Sequence, residues 1–174
     1  MGSCTSKKEI RIVIIGLDLA GKTSLLNKLK YDEAGTTTPT VGFNFQTVIH
    51  KKAEINIWDT GGQDKIRDLW KHYYDQVDGV LFVVDSTDED RMEEAKNELH
   101  KALSDIRLKD AFICVAANKR DKLDKIIPLD LMTNMLNLND IPQARTWTCI
   151  PTSANSGEGL AELVTWLASQ KQKL

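Results

Sequence analysis

The chain has 174 residues, 25 acidic against 23 basic side chains, and a formal net charge of −2. That length suits one domain with a continuous core. The near balance of charge excludes a global field that would gather nucleic acid or other polyanions, so no nucleic-acid partner is expected and any anion site has to be local.

At the N-terminus, Met1-Gly2-Ser3-Cys4-Thr5-Ser6 fits the myristoylation pattern, with Gly2 as the acceptor once Met1 is removed. Cys4 is a candidate for a second acyl chain, and Lys7-Lys8 follow as a basic pair. One myristoyl chain holds a membrane only marginally, so a second signal would matter. Residues 1–8 are therefore read as a flexible, acylated tail, with a plain disordered tail as the alternative, and residues 9–174 as one domain. The other two cysteines, Cys114 and Cys149, make no CxxC pair, which fits a reducing cytosol. No apolar stretch approaches the roughly 18 residues of a membrane span, which predicts a soluble body.

Short apolar runs of strand length recur at residues 10–15, 43–49, 54–58, 79–84, 111–117 and 146–150. Those containing Ile12 to Ile15, Val80 to Val84 and Phe112 to Ala116 are almost unbroken, as strands covered on both faces should be. Met92, Ala95, Leu99, Ala102, Leu103 and Ile106 recur at helical spacing and predict one apolar helix face; Leu160, Leu163, Val164 and Leu167 predict another. The alternation implies an open α/β sheet with ligands at the carboxyl ends of its strands. Residues 31–42, rich in Gly, Thr and Pro, read as a surface loop.

Four motifs follow in order. After the first strand comes Gly16-Leu17-Asp18-Leu19-Ala20-Gly21-Lys22-Thr23, then the helix-like Ser24-Leu25-Leu26-Asn27-Lys28-Leu29. This is a phosphate-loop pattern in its strand-loop-helix setting. Backbone N–H groups from Asp18 to Ser24 would surround phosphates at a helix N-terminus, Lys22 would reach the β- and γ-phosphates, and the Thr23 hydroxyl would hold Mg²⁺. Asp59-Thr60-Gly61-Gly62-Gln63 follows another strand. There Asp59 would hold the metal through water and the Gly62 N–H would approach a γ-phosphate.

Asn118-Lys119-Arg120-Asp121 ends the 111–117 strand. The Asp121 carboxylate accepts from both N1–H and the exocyclic amine of guanine, which adenine cannot match. Asn118 would brace the neighbouring loops, and the Lys119 stem would lie against the base. Last, Ser153-Ala154-Asn155 would offer the Ala154 N–H to the guanine O6. A phosphate-loop kinase or ATPase is disfavoured by the Asn118 to Asp121 element.

With these elements in order, the chain resembles the small GTPases, and within them the Arf and Arf-like (ADP-ribosylation factor) family. The finer matches are Gly16-Leu17-Asp18, Pro39-Thr40-Val41-Gly42-Phe43-Asn44 and Trp58-Asp59-Thr60-Gly61-Gly62-Gln63-Asp64-Lys65-Ile66-Arg67. The resemblance implies a phosphate-loop NTPase domain with a mostly parallel six-stranded sheet and helices on both faces. It implies GTP, GDP and Mg²⁺ as ligands, Thr40 as a metal ligand present only with the γ-phosphate, and Gln63 as the residue that orients the attacking water. Phe43, Trp58 and Tyr73 match an aromatic effector patch, with core packing as the alternative.

Lys22 is the only obvious protein cation beside the phosphates, so intrinsic hydrolysis should be slow and an activating protein would supply an arginine. The implied function is a switch in membrane or vesicle traffic, served by an exchange factor, a GTPase-activating protein and effectors or coat proteins. The alternative is a nucleotide-dependent scaffold with negligible hydrolysis. The implied place is the cytoplasm, at the periphery of an organelle membrane such as the Golgi. The chain departs from the family in the short stretch before Glu9 and at Thr60 and Asp68.

Overall fold

A computed structural model of the chain describes residues 7–32 and 45–170, without the side chains of residues 31 and 32. Gly2, Cys4, Thr40 and Phe43 lie outside the described residues. The described chain forms six strands: β1 (Lys8–Ile15), β2 (Phe45–His50), β3 (Ala53–Asp59), β4 (Gly79–Asp85), β5 (Phe112–Asn118) and β6 (Trp147–Pro151). They make one sheet in the order β2-β3-β1-β4-β5-β6, antiparallel only at β2–β3.

Alternation along the strands sends successive side chains to opposite faces. Ile10, Ile12 and Ile14 of β1 meet Leu25, Leu26 and Leu29 of helix α1 (Lys22–Asp32) and Leu160, Leu163 and Leu167 of helix α4 (Leu160–Ser169). Val13 and Ile15 face the other way, into a core with Met92, Ala95 and Leu99 of helix α2 (Met92–Leu103) and Met132 of helix α3 (Leu129–Met135). The predicted layering of helices on both faces is thus observed. Cys114 is fully buried in β5, as a small core residue.

The apolar runs predicted the centres of the strands, and three of them missed a polar carboxyl end. β3, β4 and β5 continue into Asp59, Asp85 and Asn118, whose side chains stand at the carboxyl edge. β1 begins at Lys8 because its N–H donates to the Lys52 carbonyl at 3.1 Å. One helical assignment is corrected: Ile106 is 74% exposed and lies off the α2 face. The helix ends at Leu103, and the Asp105 carboxylate accepts from the Arg107 N–H, turning the chain before the period can continue. Residues Asp64–Gln76 form a long run of 3₁₀ turns that buries Arg67, Trp70 and Tyr74.

Thr60, where the sequence departs from the family pattern, is buried, and its hydroxyl donates to the Ile14 carbonyl at 2.7 Å. Thr60→Val keeps the shape and removes the donor, so a loss of about 1 kcal/mol is expected. In a chain of this size that is a fall of about 2–4 °C in Tm, measurable by calorimetry, and an unchanged Tm would show that the bond contributes nothing net. No described helix is long and apolar enough to cross a membrane.

Candidate nucleotide site

The strand order reverses at β1, with β3 on one side and β4 on the other. That switch point is where an open α/β sheet leaves a crevice, and the loop from Gly16 to Lys22 leaves β1 there. Lys22 opens α1 and is buried; its Nζ donates to the Gly16 carbonyl at 2.8 Å and the Leu17 carbonyl at 2.9 Å. Burial pulls its pKa down to about 8, against the opposing pull of Asp59 and Asp18. A burial cost of this kind falls away when anionic oxygens replace the carbonyls. Ala20 is buried, Leu19 stands out at φ +65°, and Thr23 and Ser24 are exposed at the start of α1.

Thr23 Oγ1 donates to Asp59 Oδ2 at 3.0 Å, and Asp59 Oδ1 is buried without a partner among the described residues. Burial pushes the Asp59 carboxyl above its ordinary range. A hydroxyl beside an orphaned buried carboxylate oxygen is an oxygen donor set that fits a hard divalent cation. The described residues contain no group of three or more His, Cys, Asp or Glu that could hold a metal. Such an ion would therefore complete its shell with water and ligand oxygens, which is how Mg²⁺ is usually held.

Gly62 lies directly on the phosphate loop. A Cβ there would stand 2.2 Å from Lys22 Nζ and 2.4 Å from the Asp18 nitrogen, so only glycine fits. The Asp18 N–H donates to the Gly62 carbonyl at 2.9 Å. The Gly62 group bonded to the loop in this conformation is thus its carbonyl. Gln63 is exposed next to it.

The other end of the crevice is built from the loops after β5 and β6. Asn118 Nδ2 donates to the Ala20 carbonyl at 3.0 Å, and its Oδ1 accepts from Thr152 Oγ1 at 3.3 Å and from the Ala154 N–H at 3.1 Å. The Asn118 side chain thus ties the phosphate loop to the loop after β6, and it takes up the Ala154 N–H in doing so. Lys119, at φ +66°, donates to the Leu19 carbonyl at 2.6 Å and pairs with Asp85 at 2.7 Å. Asp121 accepts from Ser153 Oγ at 2.8 Å and from Asn155 Nδ2 at 3.1 Å. Those two bonds, Ser153 first, hold its carboxyl below the usual range. Each carboxylate oxygen keeps lone pairs for further donors.

Two residues escaped the sequence reading. Arg67 and Arg91 both reach Asp18 Oδ1, at 3.5 Å and 2.7 Å, so Lys22 is not the only cation at the phosphate loop. The signal lay in Arg91's position: a cation just before α2 opposes the helix dipole unless an anion meets it. Among the aromatics, Trp58 is half-buried, its ring centroid 4.6 Å from that of Phe45 and 5.9 Å from that of Tyr73.

A six-stranded α/β sheet with a phosphate loop at its switch point, braced by the loops of β5 and β6, defines a phosphate-loop nucleotide-binding domain. The model of the ADP-ribosylation factor (Arf) family matches residues 1–171, and the chain belongs to that family of small GTPases. Among solved structures it is similar to the Arl6 BBS3 small GTPase from Trypanosoma brucei with bound nucleotide analogue GppNp, at 29% identity and a TM-score of 0.80. The match covers 92% of this chain and 95% of that one.

Proposed function

We propose that this chain is a guanine-nucleotide switch, cycling between GDP and GTP forms and hydrolysing GTP slowly until an activating protein engages it. The observation that carries the reading is the Asn118–Ala20 bond, with Lys119–Leu19 beside it, which joins the loop bearing Asp121 to the phosphate loop. One ligand with a base at one end and phosphates at the other would satisfy both. The GppNp bound to the Arl6 relative supports the same reading.

In this reading the N–H groups from Asp18 to Ser24 and the Lys22 ammonium hold the phosphates. Thr23, Asp59 through water, and Thr40 would hold Mg²⁺, which would supply charge neutralisation at the phosphates. Asp121 reads the base edge, Ser153 and Asn155 orient Asp121, and Ala154 offers its N–H to O6 after leaving Asn118. Gly62 turns its peptide so that the N–H meets the γ-phosphate, and Gln63 aligns water for in-line attack. GDP offers nothing to Gly62 or Thr40, so the segments that carry them report the nucleotide state outward.

Phe43, Trp58 and Tyr73 then form a surface for effectors or coat proteins, to which the Phe45 ring on Trp58 adds area. An exchange factor opens the site, and residues 1–8, acylated at Gly2 and with Cys4 as the candidate for a second acyl chain, hold the 9–174 domain to an organelle membrane such as the Golgi in vesicle traffic. Single-turnover hydrolysis tests the reading. The wild type should show a GTP half-life of many minutes, shortened about 10³- to 10⁵-fold by an activating protein's arginine. Gln63→Leu should remove most of that acceleration while GTP still binds. A Gln63→Leu protein as fast as wild type under activation would favour the scaffold alternative.

A further inference from the structure

Asp18 puts a carboxylate inside a loop built to surround phosphates, an electrostatic conflict that the structure answers with a closed ring of charge. Arg91 Nη1 donates to the Asp18 carbonyl at 3.1 Å and Nη2 to Asp18 Oδ1 at 2.7 Å. Arg91 Nε donates to Glu94 Oε2 at 3.0 Å, while Glu94 Oε1 accepts from Arg67 Nη1 at 2.8 Å. Arg67 closes the ring on Asp18 Oδ1 at 3.5 Å and also donates, through Nε, to the Gly62 carbonyl at 2.9 Å. Arg67 is 5% exposed, and the ring links the phosphate loop, the segment after β3 and the start of α2.

The two arginines differ in what they hold. Arg67 has Asp64, Glu94 and Glu98 within 3.7 Å as well as Asp18, so its charge is shared among four carboxylates. Arg91 has two carboxylate partners, Asp18 and Glu94, and is the one that grips both the backbone and the side chain of Asp18. A guanidinium fork of this kind fixes direction as well as charge. The hydrogen bond from Arg91 is also the leading cause holding the Asp18 carboxyl below its ordinary range.

We propose that Arg91 is a positioning residue for the phosphate loop: it turns the Asp18 carboxylate toward α2 and neutralises it there, so that a nucleotide's phosphates do not meet an unpaired anion. This rests on the reading of the loop as a phosphate site. Without Arg91 the carboxylate keeps only the longer contact with Arg67, whose charge is shared, and is free to turn toward the phosphates, where the repulsion is greatest for the ligand with most charge. The loss should therefore be larger for GTP than for GDP, and it should depend on the Asp18 charge itself.

A double-mutant cycle with Arg91→Ala and Asp18→Asn, read as dissociation constants for GDP, a non-hydrolysable GTP analogue and inorganic triphosphate, tests this. With Asp18 present, Arg91→Ala should weaken binding of the GTP analogue at least about tenfold, as expected when one partner of a charge pair is removed. In the Asp18→Asn background the same change should cost less than about threefold. The Arg91→Ala defect should also shrink as salt rises from about 0.05 to 0.5 M, because repulsion is screened. Equal losses in both backgrounds, or a defect indifferent to salt, would overturn the proposal and assign Arg91 to holding α2 alone. If the wild type takes triphosphate but does not prefer guanine nucleotides, the guanine reading fails and the cycle, run on triphosphate, still decides. Binding of neither would overturn both.

Discussion

Asp121→Asn is expected to lower guanine-nucleotide affinity about 10⁴-fold, the scale on which a site built for specific donors rejects a ligand it no longer matches. The carboxylate offers two acceptors to the two N–H donors of the guanine edge. An amide offers one acceptor and one donor, which suits xanthine, with N1–H beside a carbonyl. Affinity for xanthosine diphosphate should therefore rise as that for GDP falls. The local cost is small, because the Ser153 hydroxyl that now donates to Asp121 can rotate to accept, and the Asn155 amide can turn. Titrating both nucleotides against wild type and variant checks this; unchanged GDP affinity in the variant would remove Asp121 from base recognition.

The second large effect concerns folding. Gly16→Ala places a Cβ 2.3 Å from the Val83 carbonyl oxygen, at φ +149°, where a side chain is rarely accommodated. Val83 lies in β4, which pairs with β1 up to Ile15, immediately before Gly16. The obstruction is backbone, so relief requires the two central strands to part at the base of the phosphate loop. Overpacking costs about 1–3 kcal/mol where side chains can yield. With backbone on both sides the upper end, about 3 kcal/mol, is expected, or roughly 6–12 °C in Tm. Thermal unfolding of the nucleotide-free variant measures it, and a shift under about 2 °C would mean that the strands accommodate the methyl group.

The sequence reading located the strands well because the parallel centre is covered on both faces, so burial writes itself as unbroken apolar runs in β1, β4 and β5. It lost their polar ends, since Asp59, Asp85 and Asn118 continue the strands as polar residues, two of them buried, which hydropathy does not count as strand. The Asp64–Gln76 run escaped notice for a related reason. Its buried residues Arg67, Trp70 and Tyr74 have helical spacing, but one is an arginine, which no hydropathy pattern counts as core. Local motifs announced the phosphate loop, Asp59 and Asn118 to Asp121 because their chemistry is set by neighbours in the chain. The pairing of Arg67 and Arg91 with Asp18 was illegible because that partner is 49 and 73 residues away; at most, the place of Arg91 before α2 called for some anion. For the Ala154 N–H, the chain pattern is silent on its partner within the protein, Asn118, which lies 36 residues away.

The Asn118 brace on Ala20 spans 98 residues, and that of Lys119 on Leu19 spans 100. On a ribosome adding about 5–20 residues per second, the phosphate loop therefore emerges roughly 5–20 s before the residues that brace it. During that interval the nascent chain carries the glycines and the lysine of the loop without their supporting partners. On the proposed function, nucleotide capture would thus belong to the finished chain, and there mass action would take over: at a free-ligand concentration a thousand times Kd, binding adds about 4 kcal/mol to native stability. The cellular nucleotide pool would then act as the last folding factor this protein meets.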